Sequence, residues 1–398
     1  MSSRYAKSSK KTAPLIITIT ITLGLGLLLV YDATVFYSQD LYGNPYRFVL
    51  LQLVWVVVGS VGFILFYSIH YKKWYKFSPY IFGGAIATLS LLALFGFLTF
   101  QTHFLQCSGT RPFVPCINGA YRWLHINSSP LPQIPLMGTL GIQPAELVKL
   151  AAILYLSALL SRVLAEKQDP YKVFWRFLIP SGLVFGLVLL QPNMSTASLI
   201  FLICLSIYFG SGASLKPFIG IAPLFVILFL LAMAVSPYRR QRFLTLINHD
   251  QTQEQSLSSG YHSSQIMVSL GSGGFFGLGI GQSRQKYQYL PEIASDSIFA
   301  VLGEELGLIG TSTLLLLFLF LVYQGYSVAS GAPDMFSRLL AVGVTSWMGL
   351  QFFINVAAMA QLIPLTGIPI PLVSYGGSSM VFTLCGLGLL ANVSKYSS

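Results

Sequence analysis

Long apolar runs of roughly 20 residues recur along the whole chain, separated by short polar or glycine- and proline-containing breaks. That is the length a helix needs to cross the hydrocarbon core of a bilayer. The pattern predicts ten spans, at 15–31, 48–69, 80–100, 138–160, 177–191, 196–212, 218–235, 297–326, 338–360 and 374–393. They form an all-α, polytopic bundle, read as one transmembrane domain over 15–398 behind a short polar tail, 1–14. Two connecting segments are too long to be simple turns, 101–137 and 236–296, and the second is rich in Ser, Gln and Gly. Long loops on a rigid scaffold are where function concentrates.

Composition supports this architecture. Of 398 residues, 54% are hydrophobic and 9% charged, against about a quarter charged in a soluble domain, which excludes a soluble fold. The net charge of +11 is explained by topology, so nucleic acid is not invoked, and no nucleic-acid motif is present. With the N-terminus in the cytoplasm, fourteen basic residues fall on the cytoplasmic side (Arg4, Lys7, Lys10, Lys11, Lys72, Lys73, Lys76, Arg162, Lys167, Lys172, Arg176, Lys216, Arg338 and Lys395). The short external loops hold only Arg47, Arg111 and Arg122. The positive-inside rule then places both termini in the cytoplasm and 236–296 outside. No small-residue cleavage site follows Val30, so the first apolar run reads as a span and not a signal peptide.

Cys204 and Cys385 fall inside spans and read as apolar core residues. Cys107 and Cys116 share an external loop. They form a disulfide or remain two free thiols, since spacing alone does not establish geometry.

Ionisable groups at membrane depth are costly, and each is a functional candidate. Glu146 and Lys149, three apart in Gln143-Pro144-Ala145-Glu146-Leu147-Val148-Lys149, share a helix face. They are either an ion pair fixing helix packing or a site in which Glu146 positions Lys149 for an anionic headgroup. Ser236-Pro237-Tyr238-Arg239-Arg240-Gln241-Arg242 places three arginines outside a span, suited to phosphate oxygens or to lipid headgroups in general. Gly271-Ser272-Gly273-Gly274-Phe275-Phe276-Gly277-Leu278-Gly279-Ile280-Gly281 is neither a Walker loop nor a dinucleotide fingerprint. It suits an anion-binding nest or a tightly folded re-entrant loop. In Leu290-Pro291-Glu292-Ile293-Ala294-Ser295-Asp296-Ser297, Asp296 reads as a helix N-cap or as a general base at the mouth of an external cavity. Glu304 and Glu305 lie deeper, to pair with arginine or brace the loop. The prolines of 364–372 prevent a helix, leaving an extended segment that ends in Ser374-Tyr375-Gly376-Gly377, which offers donors to a polar ligand or satisfies its own backbone.

Taken together these segments resemble the SEDS family of cell-wall proteins, the group containing FtsW, RodA and SpoVE. The resemblance rests on Asn118-Gly119-Ala120-Tyr121-Arg122-Trp123, Gln143-Pro144-Ala145-Glu146, Gln191-Pro192-Asn193, Ser236-Pro237-Tyr238-Arg239, Tyr289-Leu290-Pro291-Glu292, Gly303-Glu304-Glu305-Leu306-Gly307 and Pro371 through Ser379. The ending Leu390-Ala391-Asn392-Val393-Ser394-Lys395-Tyr396 is more similar to the division branch, FtsW, than to the elongation branch. The resemblance implies an inverting glycosyltransferase that polymerises lipid II in the bacterial cytoplasmic membrane at the division septum. It also implies a class B penicillin-binding protein and other division proteins as partners. It matches Asp296 to the family's essential aspartate, which makes it the catalytic base, and Lys149 to the family's lysine in the fourth span. Glu146, Arg239, Arg240, Glu292, Ser374, Tyr375, Gly376 and Gly377, singled out by their own chemistry, complete the expected substrate contacts with Lys149. A divalent cation, magnesium or manganese, would involve Asp296. A lipid II flippase and a catalytically silent division scaffold are the rival readings. The sequence departs from the family pattern in three segments: Ala294 and Ser295 before Asp296 with Ser297 after it, Asn193 in place of aspartate, and Gly141 where some division-type members carry arginine.

Overall fold

The structure is a computed structural model that describes residues 2–98, 113–117, 120–127, 140–166, 168–218, 220, 227, 259–287 and 290–398. Among these residues it is a helical bundle: α1 (Ser2–Tyr42), α2 (Arg47–Ser68), α3 (Tyr71–Leu98), α4 (Pro144–Ala165), α5 (Pro170–Leu189), α6 (Met194–Gly210), α7 (Ser259–Gly273), α8 (Ile298–Ser330), α9 (Met335–Met359) and α10 (Gly377–Ser394). Eight of these are long and apolar enough to cross a membrane, and α6 is a shorter apolar helix. Helices therefore stand at nine of the ten expected spans. The remaining one, 218–235, lies outside the described residues apart from isolated positions.

Local chemistry sets the helix ends. Pro144 occupies the first turn of α4, with Glu146 in that turn and Arg162 in the last, so a proline without an N–H and a charge pair matched to the helix dipole start this helix at 144 and not 138. Asp169 opens α5 by accepting the Tyr171 N–H, and Asn193 opens α6 by accepting that of Thr196. Asn193 thus fills the N-cap role to which aspartate is equally suited. A reciprocal capping box between Asp334 and Ser337 begins α9. α1 continues to Tyr42, past the expected limit at 31.

The bundle has a centre and a rim. α4, α9 and α10 are mostly buried, whereas α2 is largely exposed outside its contact with α10. There, a Cβ on Gly388 would stand 2.6 Å from the Phe63 carbonyl oxygen, so only glycine permits this approach of α2 and α10. Phe318 of α8 stacks on Phe352 of α9 at 4.0 Å between ring centroids. The loop before α4 forms two short antiparallel pairs, Cys116–Ile117 with Ala120–Tyr121 and Leu124–His125 with Gly141–Ile142. Its Arg122 guanidinium donates to the carbonyls of Gln191 and Pro192 at 3.1 and 2.6 Å, fastening the loop to the α5–α6 turn. A Cβ on Gly141 would already touch His125 and Trp123 at 3.2 Å, which accounts for a small residue there. Cys116 is disulfide-bonded; Cys107 lies outside the described residues. Cys204 and Cys385 are free and buried, as expected.

Candidate functional site

The end of the bundle where α8 and α10 begin brings two non-helical segments together, 290–297 and 364–376. The Tyr375 N–H donates to the Ala294 carbonyl at 2.8 Å. Asn355, fully buried on α9, donates through one side-chain nitrogen to the Asp296 and Ile368 carbonyls, each at 2.8 Å. One helical turn earlier, Gln351 donates to the Pro369 carbonyl at 2.8 Å. The Ser374 hydroxyl accepts the Ile370 N–H, and Gln52 of α2 brackets the segment by donating to the Ser374 carbonyl and accepting the Gly376 N–H. The proline-rich segment is therefore extended and pinned within protein, the condition for irregular backbone at membrane depth.

Asp296 sits in this junction with only 6% of its surface exposed. It directly precedes Ser297, the N-cap residue of α8. The Ser295 hydroxyl stands 2.9 Å from Glu292 Oε2 and 3.3 Å from Asp296 Oδ1 and serves one of these carboxylates at a time. A Cβ on Gly367 would lie 3.8 Å from Asp296 Oδ2, and the positive φ of Gly367, 67°, bends the facing segment beside the carboxylate. Glu292 itself holds a left-handed φ of 50°, a strained conformation of the kind that persists where surrounding structure enforces it. The Ser297 hydroxyl donates to the Pro291 carbonyl and meets His262 Nε2 of α7 at 2.8 Å.

The expected Glu146–Lys149 pair forms at 2.8 Å with both side chains almost wholly buried. The Lys149 ammonium also donates to Gln351 Oε1 at 2.9 Å and lies 5.0 Å from the Trp347 ring centre. Ser374, Tyr375, Gly376 and Gly377 all fall in the pinned segment. A Cβ on Gly377 would strike the Trp55 ring. Arg239 and Arg240 lie outside the described residues.

The glycine-rich run is a tightly folded loop. The N–H groups of Leu278 and Gly279 donate to the carbonyls of Glu304 and Glu305, while those of Leu308 and Ile309 donate to Gly274 and Phe275. The loop fits against a break in α8 at Gly307, whose φ is 61°. Glu304 accepts from the Ser283 hydroxyl and the N–H groups of Arg284 and Gln285, and Glu305 accepts the N–H groups of Gly281 and Ser283. Both acids brace the loop. Glu305 pairs with lysine and not arginine: the buried Lys286 bridges it at 2.8 Å and Asp32 of α1 at 3.1 Å. Burial would lower the Lys286 pKa, but the two carboxylates outweigh it and hold the pKa above the ordinary range.

A family model described as cell cycle protein, FtsW/RodA/SpoVE, matches residues 13–398. The chain belongs to this family. Stage V sporulation protein E of Bacillus subtilis is 33% identical over 398 residues, covering 98% of this chain and 99% of that protein. The probable peptidoglycan glycosyltransferase FtsW of Coxiella burnetii is 32% identical over 370 residues, covering 92% and 91%. Among solved structures, a chain from work on the structural coordination of polymerization and crosslinking by a peptidoglycan synthase complex shares the fold, with TM-score 0.70, 23% identity and 96% of each chain covered. The rod shape determining protein RodA of Thermus thermophilus does so with TM-score 0.64 and 24% identity, over 96% of this chain and 95% of that one. The FtsW/RodA/SpoVE membership and the membrane-length helices make this a multi-pass membrane protein.

Sequence reasoning passed over Gln351, Asn355, Gln52 and the Asp32–Lys286 link. The available signal was a polar stripe in an apolar helix: Trp347, Gln351 and Asn355 recur every four residues within one predicted span.

Proposed function

We propose that the protein is an inverting peptidoglycan glycosyltransferase that polymerises lipid II on the outer face of the bacterial cytoplasmic membrane. It would work at the division septum with a class B penicillin-binding protein and with both termini in the cytoplasm. The observation that carries this reading is the placement of Asp296: a nearly buried carboxylate, its backbone clamped by Asn355, facing the bend at Gly367. The FtsW relatives, named probable peptidoglycan glycosyltransferases, support the substrate class, and the fold shared with a chain from a peptidoglycan synthase complex supports the partner.

In this reading Asp296 accepts the proton of the acceptor sugar's 4-hydroxyl as that oxygen attacks the donor's anomeric carbon. The bond to polyprenyl pyrophosphate breaks, the centre inverts, and the proton passes from the carboxyl group to solvent. One carboxylate base suffices for an inverting transfer. Arg239 and Arg240 neutralise charge on the leaving pyrophosphate. Ser374, Tyr375, Gly376 and Gly377 are the substrate contacts on the pinned segment. A magnesium or manganese ion would be held by Asp296 and Glu292, the two carboxylates that share the Ser295 hydroxyl. Such a pair suits a hard cation that shares its remaining positions with water and phosphate, and the ion would there offset the growing charge.

The test is lipid II polymerisation by the purified complex with its class B partner, wild type against Asp296→Asn. Removing a general base costs roughly 10²–10⁴-fold. Glycan strands from wild type and none from a folded, partner-bound variant support the reading. Equal polymer from both removes Asp296 from the chemistry, and no polymer from either turns the assignment toward a flippase or a scaffold.

A further inference from the structure

α9 presents Trp347, Gln351 and Asn355 one turn apart on one face, and both amide nitrogens donate to main-chain carbonyls. The Asn355 nitrogen spends both hydrogens, on Asp296 O and Ile368 O. Gln351 gives its nitrogen to Pro369 O, and its oxygen accepts both Trp347 Nε1, at 2.7 Å, and Lys149 Nζ, at 2.9 Å. Ile368 and Pro369 are adjacent, and Gly367 before them faces the Asp296 carboxylate. The Lys149 ammonium, 1% exposed, is occupied by Glu146, Gln351 and the face of Trp347. A phosphate would have to displace these partners to reach it.

We propose that Lys149, Gln351 and Asn355 form a positioning relay that sets the place of Asp296 and of the facing 367–369 segment. Lys149 then serves the reaction through Gln351, without meeting the substrate. This rests on the transferase reading above. The relay is built from side chains of two buried helices, so it holds Asp296 and the opposite wall of the site as one body. Loss of a link lets the base drift from its acceptor hydroxyl, and displacements near 1 Å cost about a hundredfold in rate.

The experiment measures kcat and KM for lipid II with the full-length protein in complex with its class B partner. The variants are Asp296→Asn, Gln351→Leu, Asn355→Ala, Asn355→Ser, the pair Lys149→Met with Glu146→Gln (which leaves no carboxylate unpaired), and that pair combined with Gln351→Leu. The relay predicts that the pair and Gln351→Leu each lower kcat about 10- to 100-fold with KM within twofold. It also predicts that combining them loses no more than the worse of the two. Asn355→Ala falls similarly and Asn355→Ser, which keeps one donor, falls less. A raised KM in the Lys149 pair, with losses that multiply on combination with Gln351→Leu, overturns the relay and places Lys149 on the substrate. Should Asn355→Ala fail to fold, the Lys149–Gln351 comparison decides alone. If Asp296→Asn is inactive while the relay variants match wild type, this inference falls and the transferase reading stands; if Asp296→Asn is fully active, both fall.

Discussion

Lys286 is the buried cation on which the glycine-rich loop closes, and Lys286→Met keeps its length while removing its charge. The substitution leaves the Glu305 carboxylate, 5% exposed, and that of Asp32, 18% exposed, without their shared ammonium at 2.8 and 3.1 Å. Breaking a buried pair by deleting one partner costs about 3–5 kcal/mol. The lower end applies here, because Glu305 keeps the Gly281 and Ser283 N–H groups at 3.0 and 3.1 Å and Asp32 retains some access to solvent. About 3 kcal/mol, at 1.4 kcal/mol per factor of ten, is roughly a hundredfold. The cost falls on the loop, since the links broken are those tying 281–286 to α1 and α8. The assay is hydrogen exchange read by mass spectrometry on peptides covering 274–287, in detergent or nanodiscs. The Gly281, Ser283 and Arg284 amides, which donate to Glu305 and Glu304, should exchange about a hundredfold faster than in wild type, with peptides of α4 and α9 unchanged. Arg284→Met removes an exposed charge two residues away and should leave exchange unaltered, separating the buried pair from net charge. Adding Glu305→Gln to Lys286→Met should recover part of the protection. Exchange within threefold of wild type in Lys286→Met would refute the claim that this ion triad holds the loop.

Gly307→Ala should yield little folded protein, because the position has φ 61° and an added Cβ would lie 2.4 Å from Gly277 N and 2.7 Å from Phe275 O. The backbone conformation alone costs about 1–3 kcal/mol, and the clash with main-chain atoms adds to it; size-exclusion recovery after solubilisation measures the result. Asp334 starts α9, where burial would raise its pKa, but the Ser337 N–H, the Tyr71 hydroxyl and the Ser337 hydroxyl hold it below the ordinary carboxylate value. A carboxylate with a depressed folded-state pKa contributes stability that is present above its unfolded value and lost as pH falls through the folded one. Wild type should therefore melt higher than Asp334→Asn at pH 7 and converge with it below pH 4, and melting curves that stay parallel across that range would contradict the assignment.

The chain's own pattern determined much of this protein. Nine helices stand where apolar runs predicted them, because a segment of about 20 apolar residues has no stable place but across a bilayer and must satisfy its backbone internally as a helix. Pro144, Asn193 and Asp334 mark their own helix starts, since capping is a local interaction. The Glu146–Lys149 pair was legible for the same reason: three residues on a helix fix which side chains meet. The placing of the α8 N-cap at Ser297, directly after Asp296, was not legible, because cap geometry depends on how the turn at Glu292 bends the chain. Nor were the contacts of Asn355 with Asp296, 59 positions apart, or of Lys286 with Asp32, 254 apart. A buried amide or ammonium must find partners, and sequence states that demand. Only packing, which brings α1, α8, α9 and the two non-helical segments to one end of the bundle, decides which groups answer it.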